Sequence, residues 1–486
     1  MIPEDVETLT REELVALVKA QAAEMAALKA QVAELVALVA ELQRRLGLNS
    51  SNSSKPPSSD GLKKPARTGS LRSPSDRKPG GQKGHKGDTL RQVAQPDHIV
   101  DHHPAVCSHC GAALTPAMAQ GYVARQVFDL PEPQSLVVTA HHAHACRCTH
   151  CAHVTQAAFP EGVNAPAQYG KRIAAFVVYL LHFQMLPEDR LATLMADLFG
   201  VRLCAATIAN ISRACARHVG GFAHMVRDLV AGAPVKHMDE TGFRIAGKMQ
   251  WLHVSCTALL AFFHVCAKRS GLLSQKVTVV GTIVHDHWHP YYTMKGVLHA
   301  LCNAHHLREL KALIEIEKED WARRMQILLR RACHATNLAR ARGSPVNPRL
   351  IALFERRYDA VTRQGLVFHE GLPPLESAAS RKSSKRRGRQ PRRTGHNLLI
   401  RLTSRKEDVL RFLHDPTVPF TNNEAERDVR MMKLRQKISG GFRSPEGAID
   451  FATIRSFLAT ARKQGWNIIN ALTSDQNALT QALRTA

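Results

Sequence analysis

Two groups of side chains in this sequence have the types and spacing to do chemistry. The first is a pair of knuckles, Cys107-Ser-His-Cys110 and Cys148-Thr-His-Cys151. A Cys-x-x-Cys turn aims two sulfurs at one point, and four thiolates complete a tetrahedral Zn²⁺ site with no open position. The spacing therefore predicts a structural zinc held by Cys107, Cys110, Cys148 and Cys151, with a strand such as Gln134 to Ala140 filling the stretch between the knuckles. Cys146 competes with Cys148 for the second knuckle, and His141, His142 and His144 read as surface residues. The second group is three carboxylates. Asp239 follows the strand-like Val-Lys-His-Met, Asp286 ends the strand-like run from Val277, and Glu426 lies at a helix start in Asn-Asn-Glu-Ala-Glu-Arg. Acids on neighbouring strands can converge on one sheet edge, and a helix start packed there can add a third. Hard oxygen ligands suit Mg²⁺. Two such ions about 3.5–4 Å apart activate a water or a 3′-hydroxyl and stabilise the leaving oxygen of a phosphodiester. Each acid also has an ordinary reading. Asp239 can be a turn residue, Asp286 can cap the next helix or turn, and Asn423 with Glu426 has the spacing of a capping box.

The elements that must position these groups follow from period and composition. Residues 5–47 read as one coiled-coil helix. Leu14, Leu28, Leu35 and Leu42 alternate with Val18, Met25, Val32, Val39 and Leu46 in an a/d seam, broken at Gln21. A flexible linker, 48–92, comes next; its ten Lys/Arg against three Asp give it a net charge of +7, able to condense on phosphates. Residues 93–160 hold the zinc-binding module. Residues 161–232 are helical, with one helix from Leu186-Pro187-Glu188-Asp189 to Phe199 and a second from about Ala205 to His218. This pair reads either as a helix-turn-helix or as a plain hairpin. In 233–300 the period changes to that of strands, over Val235–Ile245, Met249–Thr257, Leu259–Ala267 and Val277–Val284, with a turn at Gly247-Lys248. Asp286 and Glu426 are 140 residues apart, too long for a simple connection. The reading is a helical insertion over 301–415 with a basic loop, 381–393, carrying eight Lys/Arg, and a C-terminal helical part over 416–486 with a long helical segment from about Asn423.

Composition narrows the partners. The 486 residues suit two to four domains, and 66 Lys+Arg against 41 Asp+Glu leave a net charge of +25. A field of that sign favours nucleic acid over an ordinary small metabolite. Aromatic residues make up only 5%, which fits duplex binding through phosphates better than stacking on single strands. The acidic N-terminus is not a signal peptide. The longest apolar stretch, Ile173 to Leu186, is too short to span a bilayer. A cytoplasmic protein with no membrane partner is expected, and its 11 cysteines are not a disulfide framework.

The order of several uncommon strings resembles the transposases of the insertion-sequence-66 family (transposase C type), a branch of the Asp-Asp-Glu transposases. The strings are Asn52–Asp60 (NSSKPPSSD), Gly80–Gly87 (GGQKGHKG), the paired knuckles, Leu186–Arg190 (LPEDR), Met238–Phe243 (MDETGF), His285–Tyr292 (HDHWHPYY), Cys302–Leu310 (CNAHHLREL) and Asn422–Arg430 (NNEAERDVR). With the N-terminal zipper they cover almost the whole chain. The resemblance implies an α+β multidomain protein with a ribonuclease-H-like core. It also implies Asp239, Asp286 and Glu426 as the triad for two Mg²⁺ ions. Glu240 and Glu424 are the rival acids, and the family's pattern favours Glu426 because Arg427 comes after it. Thr421 stands where many members carry Asp. Cys302, His305 and Arg308 match a family helix motif, and His305 and Arg308 are expected to contact a phosphate or support the triad, or else to be ordinary helix residues.

The expected activity is cleavage at insertion-element ends followed by strand transfer of the freed 3′-hydroxyl into target DNA. The zipper would pair subunits, and the family adds small helper proteins as candidate partners. Two other functions share the same features: a zinc-containing DNA-binding regulator with an inactive core, and a metal-dependent nuclease without strand transfer.

Overall fold

The computed structural model describes residues 10–49, 52–53, 90–129, 136–270, 277–373 and 392–484. Most of the basic linker (48–92) and of the basic loop (381–393) lies outside them. The chain forms two compact units. The larger takes in the described residues of Met1–Thr68, Asn164–Leu191 and Cys204–Ala486, and the smaller those of Gly69–Val163 and Ala192–Leu203.

Helix α1, Arg11–Gly47, opens with a capping box: the Glu13 N–H donates to the Thr10 hydroxyl and the Thr10 N–H donates to the Glu13 carboxylate. The helix was expected from residue 5, but residues 1–9 lie outside the described residues. From Val18 to Leu46 its apolar seam is 47–86% exposed. Two helices come next, α2 (Lys171–Val178, extended by a wider turn through Phe183) and α3 (Glu188–Phe199). Helix α4 runs Ala205–Gly232, fourteen residues beyond the expected end at His218. Its buried stripe of Ile208, Ser212, Ala216, Val219, Phe222, Val226 and Val230 keeps helical spacing straight through Gly220-Gly221. Packing against the core outweighs the roughly 1 kcal/mol that each glycine costs inside a helix.

The core of the larger unit is a five-stranded sheet. It contains β3 (Val235–Ile245), β4 (Lys248–Cys256), β5 (Ala261–Cys266), β6 (Gly281–His285) and β7 (Val297–Leu301), in the order β5-β4-β3-β6-β7. Strands β3, β4 and β5 form an antiparallel meander; β6 runs parallel to β3, and β7 parallel to β6. The β3–β4 turn is tight, with Ala246 and Gly247 both at positive φ (46° and 79°), one residue earlier than expected. Strand β7 was not anticipated. Its five residues include His299, too short and mixed a run to declare a period. At the sheet edge, the N–H groups of Phe263 and Ala261 donate to the hydroxyls of Ser456 and Thr460 (2.9 and 3.1 Å) on α11, Pro445–Gln464. Those bonds satisfy an edge that would otherwise be free to pair.

Between β7 and the last helices lie α5 (Asn303–Ala312), α6 (Asp320–Ala341), α7 (Pro348–Glu370), α8 (Thr394–Ser404) and α9 (Lys406–His414). They pack around a core of Leu310, Trp321, Met325, Leu329, Tyr358 and Leu399 that also takes in Val284, Ala300 and Leu301 of β6 and β7. The long helical segment expected from about Asn423 is made of two helices, α10 (Asn423–Ser439) and α11. The break is set by Gly440, at φ 70°, and Gly441, where a Cβ would stand 2.6 Å from the Arg244 carbonyl oxygen. The chain crosses the end of β3 there, the Phe442 N–H donating to Arg244 O at 3.0 Å.

In the smaller unit, β1 (Ala145–Arg147) pairs antiparallel with β2 (Val154–Gln156). The strand expected over Gln134–Ala140 is absent among the described residues 136–140. Val137 and Val138 are almost fully exposed there, with no neighbouring strand to fix them.

Candidate active site

The register of β3 on β6 sets Val235 opposite Thr282, Lys236 opposite Ile283 and His237 opposite Val284. The ladder ends there; the same register carried two residues further, past the end of β6 at His285, would set Asp239 level with Asp286. Asp239 Oδ1 accepts the Glu240 N–H (2.9 Å), and Asp286 Oδ1 accepts the Trp288 N–H (3.0 Å). The second contact is the turn role that the ordinary reading gave Asp286. Just beyond it, His287 holds φ 76°, a conformation that strains a non-glycine residue. Burial pushes the Asp239 carboxyl well above the usual carboxylate range, and the negative charges of Glu240, Asp286 and Glu426 push it the same way. Asp239 therefore lies within electrostatic reach of both other predicted acids.

Glu426 arrives on α10, whose start is fixed by Asn422. This residue is 1% exposed, and its side chain faces β3. Its Oδ1 bonds His237 Nδ1 at 2.9 Å and its Nδ2 donates to Met238 O at 2.8 Å, while its backbone N–H points at Cys302 Sγ (3.2 Å). One side chain thus ties the helix start to the residue before Asp239. Helix α10 is capped at Asn422 with no side-chain cap bond, so the capping-box reading of Asn423 and Glu426 does not hold. The Glu426 carboxylate instead faces the start of α5. Its Oε1 is 3.6 Å from Cys302 Sγ, 3.7 Å from His305 Nδ1 and 3.9 Å from Arg308, and its Oε2 is 3.6 Å from Arg430. His305 and Arg308 therefore stand beside the third acid.

The rival acids are engaged elsewhere. Glu240 points to the opposite sheet face, where it pairs with Arg269 (2.6 Å) and accepts from the Tyr291 hydroxyl (2.7 Å). Glu424 pairs with Arg427 (2.9 Å) and Lys463 (3.4 Å). Sequence reasoning missed the structural work of Asn422, His237 and Cys302. All three sit in or beside the quoted strings, but no spacing rule shows that Asn422 reaches a strand 184 residues away.

The two knuckles of the smaller unit fold alike. The Cys107 N–H donates to Ala112 O and the Gly111 N–H to Cys107 O; Cys148 with His153 and Ala152 with Cys148 repeat the pattern, all at 2.8–2.9 Å. Each turn closes on a residue at positive φ, Gly111 at 74° and Ala152 at 56°. Backbone N–H groups of Cys110 and His109 hold the Cys107 thiol below its usual range, and those of Cys151 and His150 do the same for Cys148. Donors aimed at sulfur favour the thiolate that zinc requires, so the residues fit the ion. Cys146 lies on β1, opposite Thr155, and Cys148 takes the knuckle position. Among the described residues the four sulfurs do not close into one cluster; Cys302, His305 and Glu426 form the group whose ligand atoms all lie within 4.8 Å of one another.

Comparison with known proteins agrees with this organisation. Residues 166–450 match the family described as Transposase IS66 family. Residues 104–152 match the zinc-finger binding domain of transposase IS66, and residues 1–91 match a family of unknown function (DUF6444). A protein of Sinorhizobium fredii (strain NBRC 101917 / NGR234), described as uncharacterized protein y4jO, is 33% identical over 132 residues, which make up 25% of this chain and 39% of the relative. The class so defined is a transposase-family chain that carries the family's zinc-finger domain. The chain belongs to the IS66 family of transposases. No helix among its described residues is long and apolar enough to cross a membrane.

Proposed function

We propose that this transposase cleaves insertion-element ends and joins the freed 3′-hydroxyl to target DNA, using Asp239, Asp286 and Glu426 as the ligands of a magnesium pair. The observation that supports the reading is the parallel register of β3 on β6, which leads toward Asp239 and Asp286 at the strand ends, together with the start of α10, pinned to β3 through Asn422. The strand order, an antiparallel meander followed by two parallel strands with an acid on each of β3 and the end of β6, supports a ribonuclease-H-like core. The charges of Asp286 and Glu426 add to the effect of burial on the Asp239 carboxyl, and a dication would offset that repulsion. Bound there, magnesium lowers the pKa of the attacking water or 3′-hydroxyl and neutralises charge on the leaving oxygen.

The chain's own residues do the positioning. Asp239 and Asp286 hold the centre from rigid strands, and Glu426 completes it from α10. Arg308 and Arg430 place positive charge beside Glu426, where a scissile phosphate would need it. His305 supports the Glu426 carboxylate from α5. No protein side chain needs to attack the DNA. The zinc module, held by Cys107, Cys110, Cys148 and Cys151, the basic linker and the helical segment bind terminal DNA. The α1 seam pairs two subunits so that two ends are held together, in the cytoplasm and with or without small helper proteins.

The test is D239N, D286N and E426Q in the full chain, each assayed for end binding, end cleavage and joining. The proposal expects binding kept, and cleavage and joining lost in all three. Unchanged joining overturns it. A regulator with an inactive core would show no cleavage even in the wild type. A nuclease would cleave but fail to join a pre-cut 3′-hydroxyl end to target DNA.

A further inference from the structure

The cluster of Cys302, His305 and Glu426 does not look like a magnesium site. Its ligand atoms are one sulfur, one imidazole nitrogen and one carboxylate oxygen, all within 4.8 Å of one another. Magnesium avoids thiolate and takes oxygen ligands, whereas zinc accepts all three of these atom types. The separations match as well. With Zn–S about 2.3 Å and Zn–N or Zn–O about 2.0–2.1 Å, a tetrahedral ion spans edges of about 3.4–3.6 Å between its ligand atoms. The observed edges are 3.6 Å from Cys302 Sγ to Glu426 Oε1 and 3.7 Å from His305 Nδ1 to the same oxygen. His305 Nδ1 is buried and has no hydrogen-bond partner of its own. Cys302 and His305 sit at the N-cap and in the first turn of α5, three residues apart, so both project from one side of that helix. Cys302 is buried, while the side chains of His305 and Glu426 are partly open, which leaves a fourth position for water or a phosphate oxygen.

We propose that Cys302, His305 and Glu426 form a second, thiophilic metal site that takes Zn²⁺ and shares Glu426 with the magnesium centre. The site is distinct from the knuckles, which lie in the other unit. On binding, an Sγ–metal bond replaces the Cys302 S–H bond, and that proton leaves to solvent. The imidazole proton moves from Nδ1 to Nε2 as Nδ1 takes the ion. Arg308, whose guanidinium now donates to Nε2 at 3.5 Å, has to give up that contact, keeping its bond from Nε to Ala304 O. The positive charges of Arg308 and Arg430 beside Glu426 work against a dication among these three ligands, and the thiolate bond offsets that for zinc. An ion so held withdraws Glu426 from magnesium, and zinc then acts as an inhibitor. That consequence rests on the proposed function; the binding itself does not.

The experiment is equilibrium dialysis of the full chain against zinc at low micromolar free concentration, with bound metal counted by elemental analysis. Wild type is compared with C302S, H305Q and the knuckle variant C107S/C110S. The proposal expects C302S and H305Q each to bind one zinc fewer per chain than wild type, and C302S/C107S/C110S to bind fewer than either parent variant. If C302S does not fold, H305Q decides alone, since its side chain is partly exposed. Wild-type stoichiometry in H305Q overturns the site, as does wild-type stoichiometry in a folded C302S. Cobalt substitution gives a second reading, because thiolate-to-cobalt absorption must fall in C302S. If zinc is counted at the site but the protein never cleaves, the magnesium reading fails while this one stands. If it cleaves and both variants keep the wild-type zinc count, this one fails alone.

Discussion

Asn422→Ala tests the joint that, in the proposed function, positions Glu426 as the third acid. The side chain makes two buried hydrogen bonds, to His237 Nδ1 and from its own amide to Met238 O. Each contributes a net of about 1 kcal/mol, and a buried polar group left without a partner costs about 1–3 kcal/mol. With partial relaxation of the His237 ring, the loss comes to about 2–4 kcal/mol of unfolding free energy. The functional loss is separate. Without the tie, the first turn of α10 is free to shift against β3, and a misplacement of about 1 Å at a reacting centre costs on the order of 100-fold in rate. The assay is urea unfolding together with magnesium-dependent cleavage of an end duplex, at a protein concentration and temperature where the variant is folded. Asn423→Ala, at the exposed next position, is the control and should lie within about 0.5 kcal/mol of wild type. An Asn422→Ala protein within about 0.5 kcal/mol and within about threefold of wild-type cleavage would refute the view that this side chain sets the position of Glu426.

Asp239→Asn should abolish cleavage yet stabilise the metal-free protein. The folded-state pKa of Asp239 is raised above its ordinary value of 3.8, so ionisation opposes folding. Stability is lost as pH rises from that value through the folded pKa, and the Asn variant escapes the loss; urea midpoints in chelator across that range check it. Because the same carboxyl must lose its proton to hold a cation, apparent magnesium affinity in the wild type should rise with pH over the same window, measured by metal titration of cleavage. Removing zinc with a chelator, or substituting Cys148→Ser, should release the knuckle amides of Gly111 and Ala152 to hydrogen exchange while the strand amides of β3 and β6 stay protected. With α1 pairing subunits as proposed, wild type sediments as a self-associated species and Leu28→Glu with Leu35→Glu as the monomer. Each buried Leu is worth about 1.5–3 kcal/mol, so together the changes weaken pairing by about 100-fold or more.

The legible features were local ones. A Cys-x-x-Cys turn is decided within a few residues, as is a heptad seam or an antiparallel meander with Gly247 in its turn. The insertion was legible as arithmetic, because 140 residues between two acids must fold into something. What sequence did not yield was set by packing between distant segments. Helix α4 continues through Gly220-Gly221 because its stripe meets the core on both sides of them. The α10–α11 break depends on Gly441 lying against the Arg244 backbone, a contact that spacing along the chain cannot encode. The third acid is the sharpest case. Glu426 and the capping box share one spacing, and only the direction of Asn422, toward β3 and not toward its own helix, separates the two readings. The resemblance named Glu426 over Glu424; both acids carry ion pairs, Glu424 with Arg427 and Lys463 and Glu426 with Arg308 and Arg430.

The most direct test of the magnesium pair is a crystal of the full chain soaked in Mn²⁺, with anomalous scattering used to locate the ions. The account predicts two peaks about 3.5–4 Å apart, in contact with carboxylate oxygens of Asp239, Asp286 and Glu426. A well-ordered site with no peak between Asp239 and Asp286, or with ions bound only at Glu240 or Glu424, would contradict it.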